Sequence, residues 1–234
     1  MGVTFVTALF LPSGPIFKPV SKYIELFECL ARTNVPIVLY MDTRLREEGA
    51  ELCIKYANIR RCTYTQVDTS WVPKNVILPT IRNEAKDTPD YMCIQLSKLK
   101  LVAEASEFVN TSHIAWIDFG IYHMFEDRDI CNKLLNTITN ANFPTDRILS
   151  PGCYTGGHHN LFEQICWWHC GSFLLGEKSL FPIAYARQTA LVEEYLPRLI
   201  WEVNYWTMMN DCFTIYIANH NELLLYNLCD YICP

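Results

Sequence analysis

Asp118 stands at the end of the apolar run His113-Ile114-Ala115-Trp116-Ile117 and is followed by Phe119-Gly120-Ile121. A run of this kind, entered from polar Asn110-Thr111-Ser112, predicts a central strand covered on both faces. In open α/β sheets ligands bind outside the carboxyl ends of the strands, so a carboxylate there is placed to hold a cation or a charged ligand. Gly120 would let the backbone come close to that ligand. The competing reading is an aspartate that caps the following turn. Lys98 falls within a helical pattern that is apolar nearly all round, with Ile94 and Leu101 one turn to either side. It reads either as a lysine whose stem covers apolar surface while its head reaches water, or as a cation aimed at a phosphate. Glu202, in Trp201-Glu202-Val203-Asn204-Tyr205-Trp206, is a carboxylate among aromatics, and such surroundings can poise a carboxyl group to take a proton. Asp211 is the second candidate for that role; for both, a surface helix carboxylate is the alternative. His169, beside Trp167 and Trp168, has the chemistry to bind a phosphate, a metal or an acceptor, or to be a core histidine satisfied by hydrogen bonds. The two tryptophans offer flat faces for a sugar or simply pack, and His158-His159 beside Gly156-Gly157 reads as a loop near the site or a surface turn.

The elements that must position these groups alternate in the first half. Apolar runs at residues 3–11, 36–41 and 62–67 predict strands, and residues 23–32 and 44–57 have helical spacing. This β-α-β-α-β order predicts a parallel sheet with right-handed crossovers. Thr88-Pro89-Asp90 then reads as the start of a long buried helix over residues 91–109. In the second half, residues 172–175 and 213–218 predict strands, and residues 178–196 and 201–211 predict helices. The expectation is one α/β domain with no clean linker, residues 140–151 being a loop within it.

The chain has 234 residues, half of them hydrophobic, which suffices for a large core. A net charge of −6 without a Lys/Arg cluster argues against a nucleic-acid partner. The apolar start lacks a basic flank and runs into Pro12-Ser13-Gly14-Pro15, so neither a signal peptide nor a membrane span is expected and a cytoplasmic location follows. Eleven cysteines, scattered through apolar runs, read as buried free thiols in a reducing compartment. Cys166/Cys170 and Cys229/Cys233 have a spacing that zinc sites seldom use.

The ordered set Val3–Phe10, Asp87-Thr88, Tyr91, Ser97-Lys98, Trp116-Ile117-Asp118-Phe119-Gly120-Ile121 and a later Trp-rich Gly segment resembles the HtrL/YibB-type (WlaTC-like) glycosyltransferase family, which includes virus-encoded enzymes that build capsid glycans. The resemblance implies a GT-A-like single domain: a Rossmann-like, mostly parallel central sheet flanked by helices, with residues 1–125 as the nucleotide-sugar half and residues 126–234 as the acceptor half. It implies transfer of a sugar from a nucleoside-diphosphate donor, UDP-type, to a hydroxyl of a glycan or glycoprotein. Thr7, Ala8 and Leu9 would face the nucleobase and Lys98 the donor phosphates or base. Asp118 would hold Mn²⁺ or Mg²⁺ against the diphosphate, alone or with a histidine such as His169. Gly120 replaces the second carboxylate of the usual Asp-x-Asp motif, so phosphate and water would supply most ligands. A nucleotidyltransferase on a related sheet would want a Gly-rich, Lys/Arg-bearing loop after the first strand, and the loop here has one glycine near that strand. A non-catalytic carbohydrate-binding module is the third reading.

Overall fold

Strands rich in Val, Ile, Phe and Leu, buried on both faces, need helices on each side, and the chain supplies them in alternation. The computed structural model describes all residues except 1, 15, 17, 142–144, 154–159, 218–222 and 233–234. Val3–Leu9 (β1), Val20–Ala31 (α1), Ile37–Asp42 (β2), Arg46–Lys55 (α2) and Ile59–Thr65 (β3) bear out the predicted alternation with small shifts at the ends. Pro89–Ser106 (α3) and His113–Ile117 (β4) follow. Thr88 caps α3, its hydroxyl accepting the Tyr91 amide at 3.3 Å, with Pro89 in the first turn.

The second half differs more from the sequence reading. It contains Arg128–Asn140 (α4), Ile148–Gly152 (β5), Phe173–Glu177 (β6), Leu180–Tyr195 (α5), Glu202–Met208 (α6), Phe213–Ile217 (β7) and Leu223–Ile232 (α7). The local sequence carries no clear signal for α4, α7 or β5, and the predicted helix over 201–211 is only two turns of α6 followed by a short 3-10 turn.

One seven-stranded sheet runs through both halves in the order β3-β2-β1-β4-β6-β5-β7. β6 is antiparallel to both its neighbours, and the other six strands all point one way. Side chains alternate across the sheet, so Val3, Phe5 and Leu9 of β1 face α1, α2, α4 and α7, while Val6 and Phe10 face α3, α5 and α6. The order reverses between β1 and β4: α1 leaves β1 on one face and α3 enters β4 on the other. That switch opens a crevice at the carboxyl ends of these two strands. Among the described residues no helix is long and apolar enough to cross a membrane.

Candidate active site

Asp118 is the first residue beyond β4 and lies at that crevice, its side chain 37% exposed. Its amide donates to the Ser172 carbonyl at 2.9 Å, and its own carbonyl accepts from Ile121. The backbone carbonyl, not the carboxylate, therefore closes the turn, which leaves the capping reading without support. Oδ1 accepts from Trp116 Nε1 at 2.7 Å and lies 3.3 Å from Lys98 Nζ. Oδ2 accepts no hydrogen bond from any described residue.

Lys98 neither covers the surface nor reaches for a phosphate: it is 4% exposed. Its ammonium donates to the Gly171 carbonyl at 2.8 Å and to Glu202 Oε1 at 3.0 Å, and faces Asp118. These two hydrogen bonds take two of the ammonium's three donors, and Asp118 pairs with it by charge. Burial alone would push the lysine pKa down; Asp118 and Glu202 outweigh it and hold the group well above its usual value, so it stays charged. One cation thus ties α3 to the end of β4, the turn before β6 and the first residue of α6.

Glu202 is 4% exposed and bound to Lys98 rather than lying free among aromatics. It is not placed to meet an acceptor, so the general-base expectation gives way to a positioning role. Asp211 is not brought to the cluster. It precedes β7, which runs parallel to β5 and β4, and so lies at the opposite edge of the sheet from Asp118, exposed and paired with Arg187. Gly171, part of the Trp-rich Gly segment but with no local sign of its partners, completes the cluster. A Cβ there would stand 2.5 Å from Glu202 Oε1 and 3.3 Å from Lys98 Nζ. Gly171→Ala is expected to cost roughly 1–3 kcal/mol, read from urea unfolding, because the ion pair must move to admit the methyl group.

His169 is fully buried, with Nδ1 3.1 Å from Ser150 Oγ and its ring packed edge-on against Trp206 and Phe213. Desolvation pulls its pKa from 6.5 to about 3, so the folded ring is neutral, and its complete burial keeps it away from the open carboxylate at Asp118. Unfolding exposes a histidine that takes a proton below pH 6.5. The stabilisation is therefore complete above that pH and is lost as pH falls toward 3. Between pH 7 and pH 5 the protein should lose about 2 kcal/mol more than His169→Gln in chemical denaturation, given about 1.4 kcal/mol per pH unit.

The first-strand residues also shift. Leu9 packs in the core facing α1, Thr7 is fully buried, and Ala8 packs toward α3. The opening begins one residue later. A cleft of about 300 Å³ lies at the ends of β1, β2 and β3, bounded by Phe10, Ser13, Asp42, Arg44, Thr69 and Asp90. Its lining also includes Ile94, one helical turn, about 5–6 Å, from Lys98 on α3. The loop after β1 is held by carboxylates: Asp42 Oδ2 accepts the Leu11 amide at 3.1 Å, and Asp90 Oδ2 accepts the Ser13 amide at 3.3 Å. Arg44 pairs with Asp42 at 2.7 Å and donates to the Leu11 carbonyl. Although burial opposes it, these donors hold the Asp42 carboxyl below its usual pKa.

Gly120 does not face the crevice; a Cβ there would meet Tyr23 and Leu26 of α1 at ordinary contact distances. A carboxylate at this position would be directed toward α1. Trp167 is 44% exposed, and His158-His159 lie outside the described residues. No group of three His, Cys, Asp or Glu residues stands together to hold a metal among the described residues.

No family model matches the sequence, and no curated protein matches it. Solved structures resemble it remotely. The bifunctional IspDF from Campylobacter jejuni aligns over 93% of this chain and 49% of its own, at 7% identity and a TM-score of 0.48. The 4-diphosphocytidyl-2C-methyl-D-erythritol synthase from Anaerococcus prevotii aligns over 98% and 96%, at 8% identity and 0.49. The apo glycosyltransferase GlyE of Streptococcus pneumoniae aligns over 91% and 44%, at 10% identity and 0.48. The chain thus spans about half the length of IspDF and of GlyE.

Proposed function

We propose that this chain is a glycosyltransferase of GT-A-like design that moves a sugar from a nucleoside-diphosphate donor, UDP-type, to a hydroxyl of a glycan or glycoprotein. The supporting observation is the pairing of an open polar cleft at the ends of β1–β3 with a half-exposed carboxylate across the β1/β4 switch. Hydroxyls of Ser13 and Thr69, with the Asp90 carboxylate, suit the hydroxyl and N–H groups of a nucleoside, while Asp42 is used up in holding the loop. The same cleft argues against the nucleotidyltransferase reading. That chemistry wants free loop amides and cations around a triphosphate, whereas the Leu11 and Ser13 amides are already bonded to carboxylates.

In the reaction the anomeric carbon–oxygen bond to the diphosphate breaks, a bond to the acceptor oxygen forms, and the proton of the acceptor hydroxyl passes to the departing diphosphate oxygen. Positive charge grows on the sugar ring as the bond breaks, and a fixed carboxylate nearby stabilises it. Lys98 fixes Asp118 and Glu202 fixes Lys98, so the carboxylate is held before the donor arrives. Two carboxylates against one ammonium leave the cluster net negative. Asp118 Oδ2 therefore fits a Mg²⁺ or Mn²⁺ carried in with the donor, since such ions bind through one or two carboxylates plus substrate phosphates. When bound, the ion would neutralise charge on the departing diphosphate.

A thermal-shift series with UDP-, GDP- and CMP-sugars, with and without Mn²⁺, tests this. One donor class at 100 times its Kd should stabilise by about 2.7 kcal/mol, with slow release of the nucleoside diphosphate. Stabilisation by nucleoside triphosphates alone, with pyrophosphate as product, would replace this reading with the nucleotidyltransferase one. Binding of nucleotide-sugar without any turnover would leave a binding module.

A further inference from the structure

A second cavity, of about 280 Å³, lies between α3 and α5. It meets the first cleft at Phe10, Gln66 and Val67, which line both. Its floor is apolar, formed by Cys93, Leu96, Leu101 and Val192, all buried, and Trp71 and Tyr185 add aromatic faces. The polar side chains of α3 and α5 that enter it from the floor, Ser97, Gln188 and Thr189, are already committed. Gln188 donates to the Leu96 carbonyl at 2.8 Å and accepts from Trp206 Nε1 at 2.9 Å. The Ser97 and Thr189 hydroxyls donate to carbonyls of their own helices. Of the lining's neutral polar side chains only the exposed Gln66 amide and the Tyr185 hydroxyl stand outside such bonds, and neither carries charge, so selection by charge falls to the rim.

That rim is acidic. Asp68, Glu104 and Glu193 are exposed around it against a single ammonium, Lys100, which lies 3.7 Å from Glu104. Hydrogen bonds from the Ser70 side chain and amide hold the Asp68 carboxyl below its usual pKa, so it is charged at neutral pH. Aromatic faces attract cations as well, which points the same way.

We propose that this chamber binds a small amphipathic cation, an aromatic or branched aliphatic amine, with its apolar body over Leu96 and Val192 and its ammonium at the Asp68–Glu193 rim. The inference is independent of the donor cleft, and the two fail separately: the amine site requires no nucleotide, and donor binding requires no amine.

Isothermal titration of the full chain with 2-phenylethylamine and with 3-phenylpropanoate, which share a ring and differ in the sign of their charge, is the test. The amine should bind saturably, and the carboxylate about tenfold more weakly or worse. Thr189→Trp, which fills the chamber from α5, should abolish amine binding while a melting curve confirms that the variant is folded. Glu193→Gln, an exposed change that leaves the fold alone, should narrow the preference for the amine about threefold. No saturable binding of the amine overturns the proposal. So does equal affinity for the carboxylate, unchanged amine binding in folded Thr189→Trp, or an undiminished preference in Glu193→Gln.

Discussion

Lys98→Met should destabilise the fold by about 3–5 kcal/mol, the usual cost of stripping one partner from a buried ion pair. The substitution keeps length and apolar stem, so lost packing contributes little. What remains is a carboxylate at Glu202 that is 4% exposed and no longer faces a cation, and a Gly171 carbonyl without its donor. Asp118 suffers less, because its side chain is 37% exposed and water can replace the ammonium. For a chain of this size the loss corresponds to a fall in Tm of about 6–20 °C. Adding Glu202→Gln to Lys98→Met removes the orphaned charge and should recover more than half of the loss. A double-mutant cycle in urea measures this directly. If the single variant melts within about 2 °C of the parent, the cluster is not the tie between α3, β4 and α6 described above.

The early chain was legible because its local signals agree with one another. In α3 the cap, the proline and the apolar helix all point to one element, and the alternation of strands and helices implies the parallel sheet before any contact is known. The position of Asp118 followed from the same logic, since the strand had to stop where the apolar run met a carboxylate. The second half lacks such agreement. β5 carries Pro151 and Gly152, which argue against a strand, yet the proline's missing donor is harmless and its carbonyl accepts the Cys170 amide at 2.6 Å. The buried face of α4 is only Cys131, Leu135 and Ile138 within a polar sequence, and α7 is a short leucine-rich stretch whose face is set by α4 and β7.

The differences at the site share one cause. Local sequence tells that a polar residue lies among apolar ones but not which distant group satisfies it. Chain neighbours suggest a poised base or a surface carboxylate at Glu202, and a surface-covering stem or a phosphate ligand at Lys98, but they carry no sign that the two side chains are partners. The tryptophans beside His169 carry no sign of Ser150 and the burial that decide its state. Gly171 had no local signal at all; its meaning is the space that Glu202 occupies.

Asp118→Asn is expected to lower the rate of sugar transfer by roughly 10²–10³, the scale of removing one preorganised charge from a reacting centre. Unlike Lys98→Met it should leave the fold within about 1 kcal/mol of the parent. The asparagine is isosteric, its oxygen can still accept from Trp116 Nε1, and Lys98 keeps Glu202 and the Gly171 carbonyl. The two variants therefore separate stability from chemistry: one loses its melting temperature, the other its turnover. The substitution also removes the net negative charge of the cluster, so any Mn²⁺-dependent gain in donor-induced thermal shift should disappear, while metal-free nucleoside binding in the Ser13–Asp90 cleft persists. Transfer within threefold of the parent, with the metal response intact, would mean that the carboxylate at the β1/β4 switch takes no part in the reaction. The catalytic charge would then have to be sought elsewhere along the carboxyl edge of the sheet.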